Sequence, residues 1–218
     1  MEILLLYNNK IAKELAEKLQ EIGHSVILWE KEIQVGDLER MHPDRIISYT
    51  YRFIIQKEVI EGLKHPILNL HISYLPWNRG VSPNFWSFME DTPKGVTIHE
   101  INEKIDAGRI LLQKQLYFEE EHETFASTYK KLNKEIIKLF MQHSQELLDW
   151  GIEFGSRRKK VRGVEEWQAD SGQKGSYHSK KQVHSFREKY PFSWEENIAE
   201  YKARINYKKM DFEVGSYG

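Results

Sequence analysis

Apolar positions along this chain switch between two periods. Ile3-Leu4-Leu5-Leu6-Tyr7 is a short unbroken apolar run, the pattern of a strand buried on both faces of a parallel sheet. From Lys10 to Ile22 the period lengthens: Ile11, Leu15, Leu19 and Ile22 recur at helical spacing among Lys and Glu, and Gly23 supplies the stop. Ser25-Val-Ile-Leu-Trp29, Arg45-Ile-Ile-Ser-Tyr49 and Ile67-Leu-Asn-Leu70 read as three further strands, with a short helix over Gln56 to Leu63. Pro83 to Glu90 predicts a helix with Ser82 as cap and Pro at its first turn. Gly95 to Ile101 and Arg109 to Gln113 are expected strands. Thr124 to Trp150 is expected as the longest helix, with Phe125, Tyr129, Leu132, Ile136, Phe140 and Leu147 as its apolar stripe and Gly151 and Gly155 closing it. Strands that alternate with helices imply an α/β fold, a mostly parallel Rossmann-like sheet with helices on both faces.

Past Gly155 the pattern weakens. Arg157-Arg-Lys-Lys160 and Arg162 are basic, glycines cluster up to Gly175, and the remainder is charged and aromatic. This divides the chain into a main domain, residues 1–155, and a C-terminal appendage, residues 156–218. Trp167, Tyr177, Phe186, Tyr190, Phe192, Trp194 and Tyr201 must then pack on the main domain or on a second chain. A homodimer using the tail or a strand-like segment near Gln145–Val164 is the expectation.

Composition narrows the class. The 218 residues are 40% hydrophobic, enough for a sizeable core, and no apolar run approaches a membrane span. The opening Met-Glu-Ile carries no signal-peptide pattern, so a cytoplasmic protein is expected. Cysteine is absent, which excludes disulfides and thiolate nucleophiles. A formal net charge of −1 gives no support to a nucleic-acid partner. Glycine loops of the GxGxxG and GxxxxGK[ST] kinds, HExxH and GxSxG are all missing, and the nine His fall at no metal-ligand spacing.

One stretch carries chemistry: Asn69 to Phe88, NLHISYLPWNRGVSPNFWSF. In parallel sheets ligands bind beyond the carboxyl ends of the strands, and Asn69 and His71 end a strand that reads as buried. Two residues apart, they point to the same side. Asn offers a donor; His offers an acceptor or a second donor. The pair suits acyl transfer to an amine, in which a carbonyl oxygen gains charge and a nitrogen loses a proton. Asp106, in the loop Ile105-Asp-Ala-Gly108, can orient the His or move protons. Spacing alone leaves the plainer alternative open, that Asn69 caps a turn, His71 is a satisfied core histidine and Asp106 is a turn residue.

The wider pattern is Asn69-x-His71-x-Ser73-x-Leu75-Pro76, Gly80, Pro83 and Trp86, Gly95-Val-Thr-Ile-His99, and Ile105-Asp-Ala-Gly108. In order and spacing it strongly resembles the 10-formyltetrahydrofolate-dependent formyltransferases across residues 45–115. The resemblance implies a catalytic trio of Asn69, His71 and Asp106. It also implies a folate site formed by Phe53, Ile54 and Ile55 after the third strand and by Asn102, Glu103, Lys104 and Ile105 before the Asp. No metal is implied.

Among the members, the nucleotide-sugar N-formyltransferases resemble this chain best, through Pro76 to Asn84 and Gly175-Ser-Tyr-His178. Asn8-Asn9-Lys10 replaces the glycine- and serine-containing turn of the glycinamide ribonucleotide enzyme, and residues 156–218 are too few for the strand barrel of the methionyl-tRNA enzyme. The implied acceptor is an amino-deoxysugar on a nucleoside diphosphate, dTDP-linked by expectation, gripped by Asn8, Asn9, Asn78, Arg79 and Tyr177. The implied mechanism is direct transfer, with His71 or Asp106 as base. Formylation of methionyl-tRNA or glycinamide ribonucleotide, or a non-catalytic folate-binding relative, are the rival readings.

Overall fold

A computed structural model describes residues 1–151 and 175–206. The chain forms β1 (Glu2–Leu6), α1 (Ala12–Glu21), β2 (Ser25–Trp29), α2 (Val35–Met41), β3 (Arg45–Tyr49), α3 (Lys57–Glu61), β4 (Leu68–His71), β5 (Arg79–Gly80), α4 (Pro83–Met89), β6 (Lys94–Glu100) and β7 (Ile110–Leu116). A 3₁₀ turn (Glu120–His122), α5 (Phe125–Gln142), α6 (Ser144–Leu148), β8 (Tyr177–His178), α7 (Lys180–Lys189) and α8 (Ile198–Arg204) follow.

Six strands form one sheet in the order β2-β1-β3-β4-β6-β7. The first four are parallel neighbours; β6 and β7 join antiparallel. The apolar run at the N-terminus lies between β2 and β3, and Ile3 to Leu6 are fully buried because both sheet faces are covered. Leu68 and Leu70 of β4 pack with α1 and α5 on one face. Leu4, Leu6 and Ile46 meet Val59 of α3 and Ile33 on the other. By the period-2 rule, Asn69 and His71 therefore project away from the α1–α5 layer.

Three expectations need correction, and one helix went unexpected. The helix expected over Thr124 to Trp150 is two helices, broken at His143, whose backbone (φ −122°, ψ 20°) is not helical. The turn there lets Leu147, Leu148 and Trp150 bury against the sheet, and Arg45 caps the second helix through the Leu148 carbonyl. The strand-like segment near Gln145–Val164 thus begins as helix, and its part beyond Gly151 lies outside the described residues. Ser82 precedes α4 in a left-handed conformation (φ 58°) and makes no side-chain cap, although Pro83 takes the first turn as expected. Finally, α2 buries no residue, so no apolar stripe marks it in the sequence. It is held at its start by Gln34 N–H on the Asp37 carboxylate at 3.0 Å and stopped by His42 at φ 45°.

Residues 175–206 lie against the main domain. The β8 strand pairs in parallel with β5, Arg79 opposite Tyr177 and Gly80 opposite His178. Phe192 stacks on Phe85 of α4 at 4.5 Å, and Phe186, Tyr190 and Tyr201 fill the same cluster with Phe125 of α5. These rings are accommodated within one chain, so they give no evidence for a second. Trp167 and the basic run at 157–162 lie outside the described residues.

Candidate active site

The site gathers side chains from two strands and one loop. β4 contributes Asn69 and His71. Antiparallel pairing places His99 of β6 directly opposite Asn69, beside a register shift in the β6–β7 pairing of the kind that re-aims side chains near functional sites. The loop between β6 and β7 folds back over this face and delivers Asp106, in a left-handed conformation (φ 46°) that Asp tolerates better than most residues. Gly108 permits the fold-back: a Cβ there would sit 1.7 Å from the Glu100 carbonyl oxygen.

Asp106 is the hub. Its Oδ2 accepts the Gly80 backbone N–H at 2.8 Å and lies 3.7 Å from His71 Nδ1. Its Oδ1 accepts from Asn69 Nδ2 at 3.2 Å and lies 3.5 Å from His99 Nε2. Asn69 Nδ2 also lies 3.0 Å from His99 Nε2. Two carbonyls fix the imidazoles. The Glu100 carbonyl, 2.8 Å from His99 Nδ1, can only accept, so that nitrogen carries hydrogen and Nε2 accepts from Asn69 in the neutral ring. The Asn78 carbonyl, 3.3 Å from His71 Nε2, likewise requires hydrogen there. The lone pair of neutral His71 is then on Nδ1, on the Asp106 side.

Electrostatics agree with these roles. Burial, only partly offset by the Asp106 charge, pushes the His71 imidazole below its ordinary value. Burial also disfavours a charge on Asp106, but the neighbouring His71, the polar contact to His99 and the Gly80 N–H together favour the anion. Its carboxyl stays well below the usual carboxylate range. The result is a neutral base beside a fixed carboxylate.

The residues expected at the folate site split. Phe53 is half-buried and Ile54 is 65% exposed, while Ile105 is 42% exposed on the facing loop. An ion pair between Lys57 and Glu103 at 2.8 Å ties the two segments together. Bare apolar side chains on two tethered loops fit a flat ring system such as a pterin. Ile55 differs: its side chain is buried in the core with Val59 and Ile67. Asn102 turns the loop, its side chain bonding the Ala107 carbonyl and the Lys104 N–H, and Lys104 itself is exposed.

Three residues expected to grip the acceptor make hydrogen bonds within the protein. Asn78 is fully buried, its amide donating to Thr92 Oγ1 at 2.7 Å and its backbone N–H to Ser176 Oγ at 2.9 Å, because the chain must turn there (φ 57°) to start β5. Asn8 bridges the Glu30 carbonyl and the Arg52 N–H. Asn9 bonds Ile11 N–H and reaches Tyr129 Oη at 3.3 Å. Arg79 and Tyr177 differ, since both are half-buried side by side on the β5–β8 ribbon.

Two contributors were not foreseen. His99 stood in the motif without a role; alternation along β6 puts it on the Asn69 face, but only the register brings the two together. The Gly80 N–H is a backbone group that no side-chain pattern reveals. Among the described residues no cluster of His, Asp or Glu is arranged to hold a metal ion, and no helix is long and apolar enough to cross a membrane.

Comparison with known proteins adds an independent line. Residues 5–143 match the family model described as formyl transferase. The formyltransferase PseJ from Anoxybacillus kamchatkensis, solved with UDP-4,6-dideoxy-4-formamido-L-AltNAc and tetrahydrofolate, is 35% identical with a TM-score of 0.75, over 92% of this chain and 97% of that one. The bifunctional polymyxin resistance protein ArnA of Wigglesworthia glossinidia brevipalpis is 41% identical over 44% of this chain and 14% of its own length. Methionyl-tRNA formyltransferase of Ehrlichia ruminantium is 39% identical over 47% of this chain and 35% of its own. The chain thus spans about a third or less of these two curated relatives.

Proposed function

The chain belongs to the formyl transferase family, and on that premise we propose that it moves a formyl group from 10-formyltetrahydrofolate to the amine of a nucleotide-linked amino-deoxysugar. The reaction class rests on one observation: a neutral buried imidazole, an ionised carboxylate and a fixed amide donor meet on one side of β4. The acceptor class is supported by the likeness to PseJ, which extends over 92% of this chain and 97% of that one. PseJ holds a UDP-sugar, whereas sequence resemblance suggests dTDP; a pyrimidine nucleoside diphosphate covers both.

When bound, 10-formyltetrahydrofolate supplies the formyl group, and Phe53, Ile54 and Ile105 would form the apolar wall that receives it. Asn69 keeps its charge-assisted bond to Asp106 and releases its other amide hydrogen from His99 to the developing oxyanion, the stronger acceptor. A donor so placed contributes about 10²–10³ in rate. His71, hydrogen-bonded through Nε2 to Asn78, would take the amine proton at Nδ1, its imidazolium facing the Asp106 carboxylate at 3.7 Å, and return that proton to the folate N10 as the bond from N10 to the formyl carbon breaks and the carbonyl re-forms. This assigns His71 as the base and Asp106 as the group that stabilises its charged form.

The second reading, formylation of methionyl-tRNA, is favoured by the names of several curated relatives. Mass spectrometry separates the two. Incubation of UDP- and dTDP-aminosugars, and separately of methionyl-tRNA, with 10-formyltetrahydrofolate should add one formyl mass to a nucleotide sugar. Formylated methionyl-tRNA with no modified sugar would overturn the proposal.

A further inference from the structure

The ribbon of β5 and β8 presents two unlike faces. Gly80 and His178 form one pair, and His178 turns inward to stack on Trp86 at 4.2 Å with rings 8° apart. Arg79 and Tyr177 form the adjacent pair, so by alternation they project from the opposite face. The Tyr177 ring also leans over Gly80, reaching within 2.9 Å of where a Cβ would stand. Gly80 in turn donates its N–H to Asp106. Arg79 is therefore the chain neighbour of the residue that holds the Asp106 carboxylate, and Tyr177 is its partner across the ribbon.

Arg79 is a cation in waiting. Its Nε is buried with no hydrogen-bond partner, and among the described residues no acid pairs with its guanidinium. A buried guanidinium nitrogen without a partner is costly unless something fills the position. Other candidates at this edge are committed: Arg52 lies over the Phe53 ring at 4.9 Å, and Lys57 is paired with Glu103. Asn8 and Asn9 are engaged within the protein, and no glycine-rich phosphate loop follows β1.

We propose that Arg79 is the anchor for the acceptor's diphosphate, its planar fork taking two phosphate oxygens while the Tyr177 ring walls the site above Gly80. This rests on the reading of the acceptor as a nucleoside diphosphate sugar. It adds the reason the appendage pairs with β5: β8 sets Tyr177 beside Arg79 and fixes the strand that carries both the anion anchor and the N–H on Asp106. The fork geometry matches phosphate, and the charge persists at any working pH.

The test is calorimetric binding of UDP, dTDP and UMP to the wild-type chain, Arg79→Ala, Arg79→Lys and Lys10→Ala, with tetrahydrofolate binding as the check that each variant is folded. Loss of one charge-assisted bidentate contact should weaken diphosphate binding about ten- to a hundredfold in Arg79→Ala and less in Arg79→Lys. The preference for UDP over UMP should disappear in Arg79→Ala, a change that a merely structural role would not produce. Tetrahydrofolate affinity should stay within about twofold, since the folate loops lie on other segments. Undiminished UDP binding by folded Arg79→Ala, or a larger loss in Lys10→Ala, would overturn the anchor and leave the sugar acceptor standing. Wild-type protein that binds tetrahydrofolate but neither diphosphate would overturn both.

Discussion

At the scale of single residues the site is a small proton circuit with fixed polarity. Asn78 O and Glu100 O decide which imidazole nitrogens carry hydrogen, and Asp106 gathers the rest. Substitution of Asn69, His71 or Asp106 by Ala should each lower kcat by about 10²–10⁴, and double variants should lose little more, because the three act as a unit. A His71→Ala enzyme with near-normal turnover would exclude His71 as the base. The pH profile follows from the directions of the shifts. Because burial lowers His71 from the ordinary imidazole value, the acid limb of kcat/KM should lie at lower pH than for a free imidazole. Asp106→Asn removes the charge that favours the imidazolium, so the limb should move to still lower pH while the plateau rate drops. A limb that moves upward in this variant would contradict the assignment.

At the scale of elements, two glycines carry the geometry. Gly108 allows the catalytic loop to touch the Glu100 backbone, and Gly80 allows Tyr177 and the His178 carbonyl to close on a strand at φ +90°. Ala at 108 must push the Asp106 loop outward by roughly an ångström, which costs on the order of a hundredfold in kcat/KM. The loss should appear in turnover at temperatures well below unfolding, and unchanged kinetics would show that the loop does not set Asp106. Helix α5 begins with Thr124 accepting from Ser127 N–H at 3.0 Å. Thr124→Ala should lower stability by about 1 kcal/mol without altering activity, measurable by urea unfolding.

At the scale of the whole molecule, the segment at 175–206 is joined to the catalytic body by a strand pair and an aromatic cluster. Phe192→Ala removes a half-buried ring from contact with Phe85, Phe125 and Tyr201, and should cost about 1–3 kcal/mol. Because β8 belongs to the same segment, acceptor affinity should fall before folate affinity as this variant is warmed. Parallel loss of both affinities would mean that the segment unfolds only with the entire chain. Oligomeric state is an independent matter: the expected homodimer is checked by light scattering at micromolar concentration.

The sequence by itself determined the alternation of strands and helices, the buried run of β1, and the polar trio placed two apart on one strand and on a glycine-flanked loop. Those features are local: period-2 and period-3.6 patterns and turn residues report what a segment does with its own neighbours. The chain's own order could not reveal the antiparallel register that sets His99 against Asn69, the break at His143, or the burial of Ile55 and Asn78. Each depends on which distant segment arrives alongside. Asn78 and Arg79 are adjacent polar residues in one loop, yet Ser176 and Thr92 close over the first while the second stays without an acid. Only tertiary packing decides between them, because partners 98 and 14 residues along the chain satisfy Asn78 while the Arg79 Nε is left without one.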